Sequence, residues 1–137
     1  MKKHILAAIA LLYLLPVALS ANDTVLPKAL LATTKTITGQ PISVPEKPKL
    51  KVSLLTIAPG KSLPVHKHPY PRYSYVQKGE LDMTLVDQHK VIHLKTGDFC
   101  AEPINQWHFG ANNGKTPVEL LVIDQMPQDV DNNTLLK

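Results

Sequence analysis

The sequence predicts an all-β protein, and three observations support this fold class. Apolar residues alternate with polar ones in three stretches, 50–54, 81–85 and 118–122, which is the period of a half-buried antiparallel strand. Turn-forming residues separate the stretches, at Pro59-Gly60, Lys78-Gly79, Thr96-Gly97 and Asn113-Gly114. No helical period of useful length follows residue 21. Short strands between regular turns are typical of a closed β-sandwich or barrel.

The first 21 residues have the pattern of a cleavable signal peptide. Lys2 and Lys3 precede an eleven-residue apolar run, Ile5 to Leu15, and small residues follow up to Ala21. The run is shorter than the ~20 residues that a membrane-spanning helix needs. We therefore expect cleavage after residue 20 or 21, export to the periplasm or the medium, and no membrane contact afterwards. An uncleaved membrane anchor is the competing interpretation.

The remaining chain has the length of one domain. Removing residues 1–21 takes away two lysines and no acidic residue, which leaves 13 basic and 11 acidic residues and a net charge of +2. The basic residues are scattered without a basic run, so nucleic-acid binding is not expected. Residues 22–49 contain four prolines and are predicted to form an extended arm. Residues 50–126 are predicted to form the barrel, and residues 127–137 a loose polar tail.

Two stretches carry candidate metal ligands. His66 and His68 are one residue apart on a predicted strand, so their side chains point to the same side and can hold one metal ion. A third histidine, His108, follows a turn that contains Pro103. An isolated His-x-His pair is weak support for a metal site, and the second stretch strengthens it.

Together the two stretches resemble the paired motifs of the cupin superfamily, as found in its small single-domain bacterial members. The first motif, G-x5-H-x-H-x3-E-x6-G, is matched at Gly60, His66, His68 and Gly79. The second, G-x5-P-x-G-x2-H-x3-N, is matched at Gly97, Pro103, His108 and Asn112. Arg72 replaces the motif glutamate, and Asn105 replaces the middle glycine. The seventeen residues between Gly79 and Gly97 suffice for one hairpin.

The resemblance implies a cupin jelly-roll barrel with a metal site inside it. Carried over position by position, it nominates His66, His68 and His108 as ligands of one divalent ion. Imidazole ligation suits iron, zinc, nickel, manganese or copper, and three ligands leave open positions for water or substrate. A polar pocket without metal is the competing interpretation. The resemblance also implies a small-molecule ligand or substrate and a homodimer.

Arg72 is the main departure from the family pattern. A guanidinium does not bind a metal and stays protonated, which leaves three alternatives. Arg72 swings to the rim and leaves a three-histidine site, it stays inward and clamps an anionic substrate, or the metal is lost. We favour the first two.

Glu102 offers a compensation for the missing carboxylate, either as a replacement ligand or as a partner of Arg72. The simpler expectation is a solvated glutamate at the rim, because charged residues are seldom buried unpaired. For the remaining candidates we expect no chemistry. Cys100 is the only cysteine and is expected to be buried and inert. Packing or surface roles are expected for Tyr70, Tyr73, Tyr75, Trp107, His89 and His93.

These features leave two main functions open. One is a metal-dependent dioxygenase, isomerase or lyase that acts on a small compound, which is anionic if Arg72 clamps it. The other is a non-catalytic cupin that binds or senses a small ligand or a metal. A structural dimer with a decayed site is less favoured, because all three histidines are present. The sequence does not separate catalysis from binding.

Overall fold

A computed structural model describes residues 26–136 of the chain. The predicted signal peptide and the first residues of the arm lie outside the described residues. Those described form nine strands and no helix: β1 Lys49–Ile57, β2 His66–Lys67, β3 Arg72–Lys78, β4 Glu80–Leu85, β5 Lys90–Lys95, β6 Phe99–Ala101, β7 His108–Ala111, β8 Val118–Met126 and β9 Thr134–Leu135. The all-β prediction is confirmed. Within this range there is also no helix able to cross a membrane.

The strands form two antiparallel sheets that enclose one core. The four-stranded sheet has the order β1-β8-β3-β6, and the five-stranded sheet has the order β5-β4-β7-β2-β9. Both sheets contribute to the core, with Val76 and Leu120 from the first and Leu81 and Met83 from the second. The hairpin expected between Gly79 and Gly97 is the pair β4–β5.

In β1 the alternation is present, but its apolar residues face solvent. Leu50, Val52 and Leu54 are 61, 60 and 74% exposed. Leu55 and Ile57, which are half-buried and buried, lie on the inner face, and Lys51 shares that face because strand side chains alternate. The two-residue period therefore identified the strand but not its buried face. The burial of Leu55 and Ile57, in the C-terminal half of β1, shows which face packs against the core.

The turn after β6 explains the asparagine in the second motif. Asn105 has φ 54°, a left-handed conformation that glycine adopts freely and that asparagine tolerates better than most residues. Its N–H donates to the carbonyl oxygen of His68 over 2.8 Å. The turn is therefore hydrogen-bonded directly to the residue that follows β2.

The described part of the arm, residues 26–48, fixes the same turn from outside. The N–H of Ile37 donates to the carbonyl oxygen of Ala101 at 2.8 Å. The side-chain amide of Gln40 both donates to and accepts from the backbone of Ile104, at 2.6 and 2.9 Å. The arm thus lies along β6 and holds the segment that follows it.

Candidate metal centre

Three histidines converge inside the barrel, as the resemblance to the cupin motifs implies. His66 and His68 lie at β2, and His66 is the register partner of His108 on the neighbouring strand β7. The three ring centroids are 4.7–5.0 Å apart. All three side chains are buried. The pairing of β2 with β7 therefore brings together residues that are about forty positions apart in the sequence.

Backbone carbonyls orient all three imidazoles. Each ring places Nδ1 at 2.7–2.8 Å from a carbonyl oxygen: His66 on Pro64, His68 on Asn132 and His108 on Gln106. A carbonyl oxygen only accepts, so Nδ1 carries the proton in each ring. The Nε2 atoms are then unprotonated in the neutral rings. Metal-binding histidines usually donate their other ring N–H to a carbonyl or carboxylate oxygen in this way.

Glu102, which follows β6, completes the cluster, and the expectation of a solvated rim glutamate is wrong. Its side chain is buried, with Oε2 at 3.1 Å from His68 Nε2 and 3.4 Å from His108 Nε2. The hydroxyl of Ser74, on β3, donates to the other carboxylate oxygen. Burial by itself raises the pKa of Glu102, but its contacts with His108 and His68 and the charge of Arg72 outweigh burial and hold that pKa well below its usual value. The carboxylate is therefore ionised.

The donor set fits a divalent metal ion. One ligand atom from each of His66, His68, Glu102 and His108 lies within 4.8 Å of the others. Hydrogen bonds from Nε2 of His68 and His108 to Glu102 need a proton on each of these nitrogens in addition to the one on Nδ1. A divalent cation among these atoms would take the place of those protons. Imidazole and carboxylate together suit manganese, iron, nickel, copper or zinc.

Arg72 stays inside the barrel rather than at the rim. Its Nε and Nη2 donate to the two carboxylate oxygens of Asp124, on β8, at 2.7 and 3.1 Å. Its Nη1 lies 3.4 Å from His68 Nε2. The Arg72 side chain is 12% exposed and that of Asp124 is 3% exposed. Asp124 thus balances the charge of Arg72 and leaves one guanidinium nitrogen facing the cluster.

The tail predicted to be loose is docked against the site. We call residues 127–136 the C-terminal strap; its strand β9 pairs with β2. The side chain of Asn132 is fully buried, accepts from the N–H of Tyr70 at 2.9 Å and donates to Asp124 Oδ1 at 2.7 Å. The backbone carbonyl oxygen of Asn132 also accepts a hydrogen bond from His68 Nδ1. Asn132 therefore supports both the candidate ligand His68 and Asp124, the partner of Arg72.

A cavity of about 300 Å³, which we call the vestibule, adjoins the cluster. Its lining includes Lys51, Ser53, Leu63, Arg72, Asn133 and Leu135. Beyond His66 and Arg72 it meets an inner chamber of only about 30 Å³, which Glu102 and His108 also line. The chamber admits a group of about the size of one water molecule, so only the end of a larger ligand can reach the cluster.

Comparison with known proteins identifies the family. The sequence profile of the cupin domain matches residues 53–124, which include both motifs. The chain is a cupin. No curated protein sequence matches it. The arginine and asparagine at the two departing motif positions therefore lie within a recognisable cupin domain.

Solved structures share the fold of this cupin. The polyketide cyclase RemF from Streptomyces resistomycificus is 20% identical over 67% of this chain and 65% of its own, with a TM-score of 0.56. A protein with a double-stranded β-helix domain from Klebsiella pneumoniae is 27% identical over 67% of this chain and 74% of its own (TM-score 0.53). An oxalate decarboxylase is 25% identical over 64% of this chain but only 24% of its own (TM-score 0.54).

The other residues singled out in the sequence lie away from the cluster of this cupin. The hydroxyl of Tyr73 donates to Gln125, and Lys67 lies over the ring of Trp107. His93 is largely exposed and contacts Asp82. Cys100 is buried, which raises the pKa of its thiol to about 12. The cysteine is therefore un-ionised, as expected for an inert thiol.

Asn132→Ala should destabilise the protein by about 2–4 kcal/mol, because buried partners at Tyr70 and Asp124 lose their hydrogen bonds. It should also weaken divalent-metal binding, since the carbonyl that orients His68 is no longer anchored. Urea unfolding and metal titration measure the two effects. The matched control is Asn133→Ala, which changes an exposed neighbour and should stay within about 0.5 kcal/mol of wild type. Equal effects of the two variants would contradict the role of Asn132.

The metal-free protein should lose stability as the pH falls from 6.5 to 4.5. Burial, with a smaller contribution from His68 and His108, lowers the pKa of His66 from 6.5 to about 4. In this range the unfolded chain takes up a proton that the folded protein does not, so acid favours unfolding. His66→Gln should flatten the dependence of the unfolding free energy on pH, measured by denaturant titration with a chelator present. His89→Asn, at an exposed position whose left-handed backbone asparagine tolerates, should leave the slope as in wild type.

Proposed function

We propose that this cupin is a metal-dependent enzyme that acts on a small molecule with an anionic group, as a dioxygenase, isomerase or lyase. The buried cluster of His66, His68, Glu102 and His108 at the end of a vestibule is the observation that carries this proposal. An ionised carboxylate beside three oriented imidazoles has no evident structural purpose without a cation. The vestibule gives such a cation access to small molecules.

The protein's own residues divide the work. The metal would be held through Nε2 of His66, His68 and His108. Glu102 would supply the carboxylate ligand that the motif has at position 72, where this chain has an arginine. A bound ion would polarise the substrate or activate water or oxygen. The apolar walls around the inner chamber restrict water there, which strengthens electrostatic interactions.

It stays a prediction that Arg72 binds an anionic group of the ligand, now through one guanidinium nitrogen and not two. Since Asp124 occupies Nε and Nη2, Arg72 can offer Nη1 to a ligand at the cluster but not a bidentate fork. We propose that Nη1 donates to an oxygen of the bound molecule. The Asp124 pair then serves to keep Arg72 in place while the ligand exchanges.

A non-catalytic cupin that binds or senses a small ligand is the second candidate. The small inner chamber favours it, because a site with so little free volume suits retention of an ion or a small anion. The activities named for the similar structures, a cyclase and a decarboxylase, differ from one another. They therefore do not select a reaction for this chain.

Export and dimerisation also stay predictions. A processed N-terminus in the mature protein, read by mass spectrometry, tests cleavage after residue 20 or 21. For a homodimer, the exposed stripe of Leu50, Val52 and Leu54 on the edge strand β1 is a suitable surface. Sedimentation velocity tests it, and a monomer at all concentrations would contradict it.

The purified protein should bind about one divalent ion per chain, measured by elemental analysis. Glu102→Gln keeps the size of the side chain but removes its charge, and we expect an affinity at least about 10–100-fold lower. Glu119→Gln, which changes a side chain 46% exposed on β8, is the matched control and should bind as wild type does. Unchanged stoichiometry and affinity in Glu102→Gln would remove Glu102 from the ligand set.

The bound metal and the turnover of small acids and thiols then separate the functions. Bound iron with substrate-dependent oxygen consumption supports a dioxygenase. Zinc or nickel with conversion of a substrate but no oxygen uptake supports an isomerase or lyase. A metal-loaded protein that binds members of the panel without converting them supports the binding cupin. Absence of any divalent metal from the purified and reconstituted protein contradicts the metal-dependent enzyme.

A further inference from the structure

Three charged residues form one row across the four-stranded sheet at the mouth of the barrel. Asp124 on β8 is the register partner of Lys51 on β1 and of Arg72 on β3. All three line the vestibule. The carboxylate of Asp124 therefore lies between two cations, Lys51 on one side and Arg72 on the other, on the sheet face that lines the vestibule.

The carboxylate of Asp124 is already committed to other donors. Arg72 occupies both of its oxygens, and Asn132 Nδ2 donates to Oδ1 at 2.7 Å. Among residues 26–136, no ion pair involves Lys51. Arg72 is thus neutralised by Asp124, whereas the charge of Lys51 is uncompensated at the vestibule. Sequence reasoning assigned the anion to Arg72; the ion pairs make Lys51 the more available cation.

The spacing of the row limits what can lie between the cluster and Lys51. Adjacent strands are ~4.8 Å apart, so the backbones of Lys51 and Arg72, two strands apart, are separated by roughly 10 Å. The inner chamber beside Arg72 takes only a group of about one water molecule in size. A ligand whose end reaches the cluster must therefore leave its remainder in the vestibule, within reach of the lysine.

We propose that Lys51 determines specificity by binding a second anionic group of the ligand, so that the site prefers short dianionic acids to monoanionic acids of the same length. This inference rests on the proposed function, because it assumes that one end of the ligand lies at the metal cluster. The apolar side chains of Leu55 and Leu63 line the vestibule as well. They suit the methylene groups between the two acidic ends.

Glutarate and pentanoate test the preference, because both have five carbons and differ in one carboxylate. Calorimetry with the metal-loaded protein should show glutarate bound about tenfold more tightly, the order expected for one charge-assisted hydrogen bond. Lys51→Met keeps the aliphatic stem and should bring glutarate to the level of pentanoate. It should also reduce the salt dependence of glutarate binding. Lys51→Arg should retain the preference.

Lys90→Met is the control, since Lys90 is exposed on β5 of the other sheet, and it should leave both affinities unchanged. A wild-type protein without a preference for glutarate, or a preference that survives in Lys51→Met, overturns the role of Lys51. Metal content is measured separately and reports on the proposed function. If the chain holds no metal, the same ratio of affinities, measured on the metal-free protein, still decides for or against Lys51.

Discussion

Three hydrogen bonds from imidazole Nδ1 to backbone carbonyl oxygens set the chemistry of this barrel. They fix which nitrogen of each histidine carries the proton and leave Nε2 of each ring available to the cluster, whose ligand atoms lie within 4.8 Å of one another. The carbonyls belong to Pro64, Gln106 and Asn132, which lie in three different loops. The candidate site therefore depends on how these loops dock, and not only on the strands that carry the histidines.

Charge balance is the second constraint on the interior. Glu102 is ionised in a buried position, and an unpaired buried charge is costly. The charge of Arg72 offsets part of that cost on one side, and a metal ion held by the histidines would offset more of it. On the other side Asp124 offsets the charge of Arg72. The interior is a chain of alternating charges in which the removal of any member leaves a neighbour uncompensated.

The sequence was sufficient to predict the fold and the convergence of the histidines. The all-β class follows from local information, a two-residue period between turns, whereas the convergence of the histidines was implied by the resemblance of the two motifs to those of cupins. Asn105 stands where the second motif has a glycine, and it still forms the turn because asparagine tolerates the left-handed backbone conformation that the turn needs. The exposed face of β1 was not predictable from alternation, since period two identifies a strand but not the face that packs.

The partners of the site lay beyond sequence reasoning because they are long-range. Arg72 meets Asp124 52 positions away, and His68 meets the carbonyl of Asn132 64 positions away. The buried carboxylate of Glu102 accepts a hydrogen bond from Ser74, 28 positions away on β3. No spacing rule connects such pairs. In the sequence, two residues indicated that the ligand set differs from the motif pattern: Arg72, where the motif has a glutamate, and Glu102, directly before Pro103.

The buried carboxylate at position 102 makes the residues at 72, 102 and 124 interdependent. A glutamate at position 72 of this chain would stand beside Glu102 as a second carboxylate, and it would leave Asp124 without its cationic partner. A buried carboxylate that loses its partner is costly. Restoring the family glutamate would therefore call for changes at 102 and 124 as well as at 72.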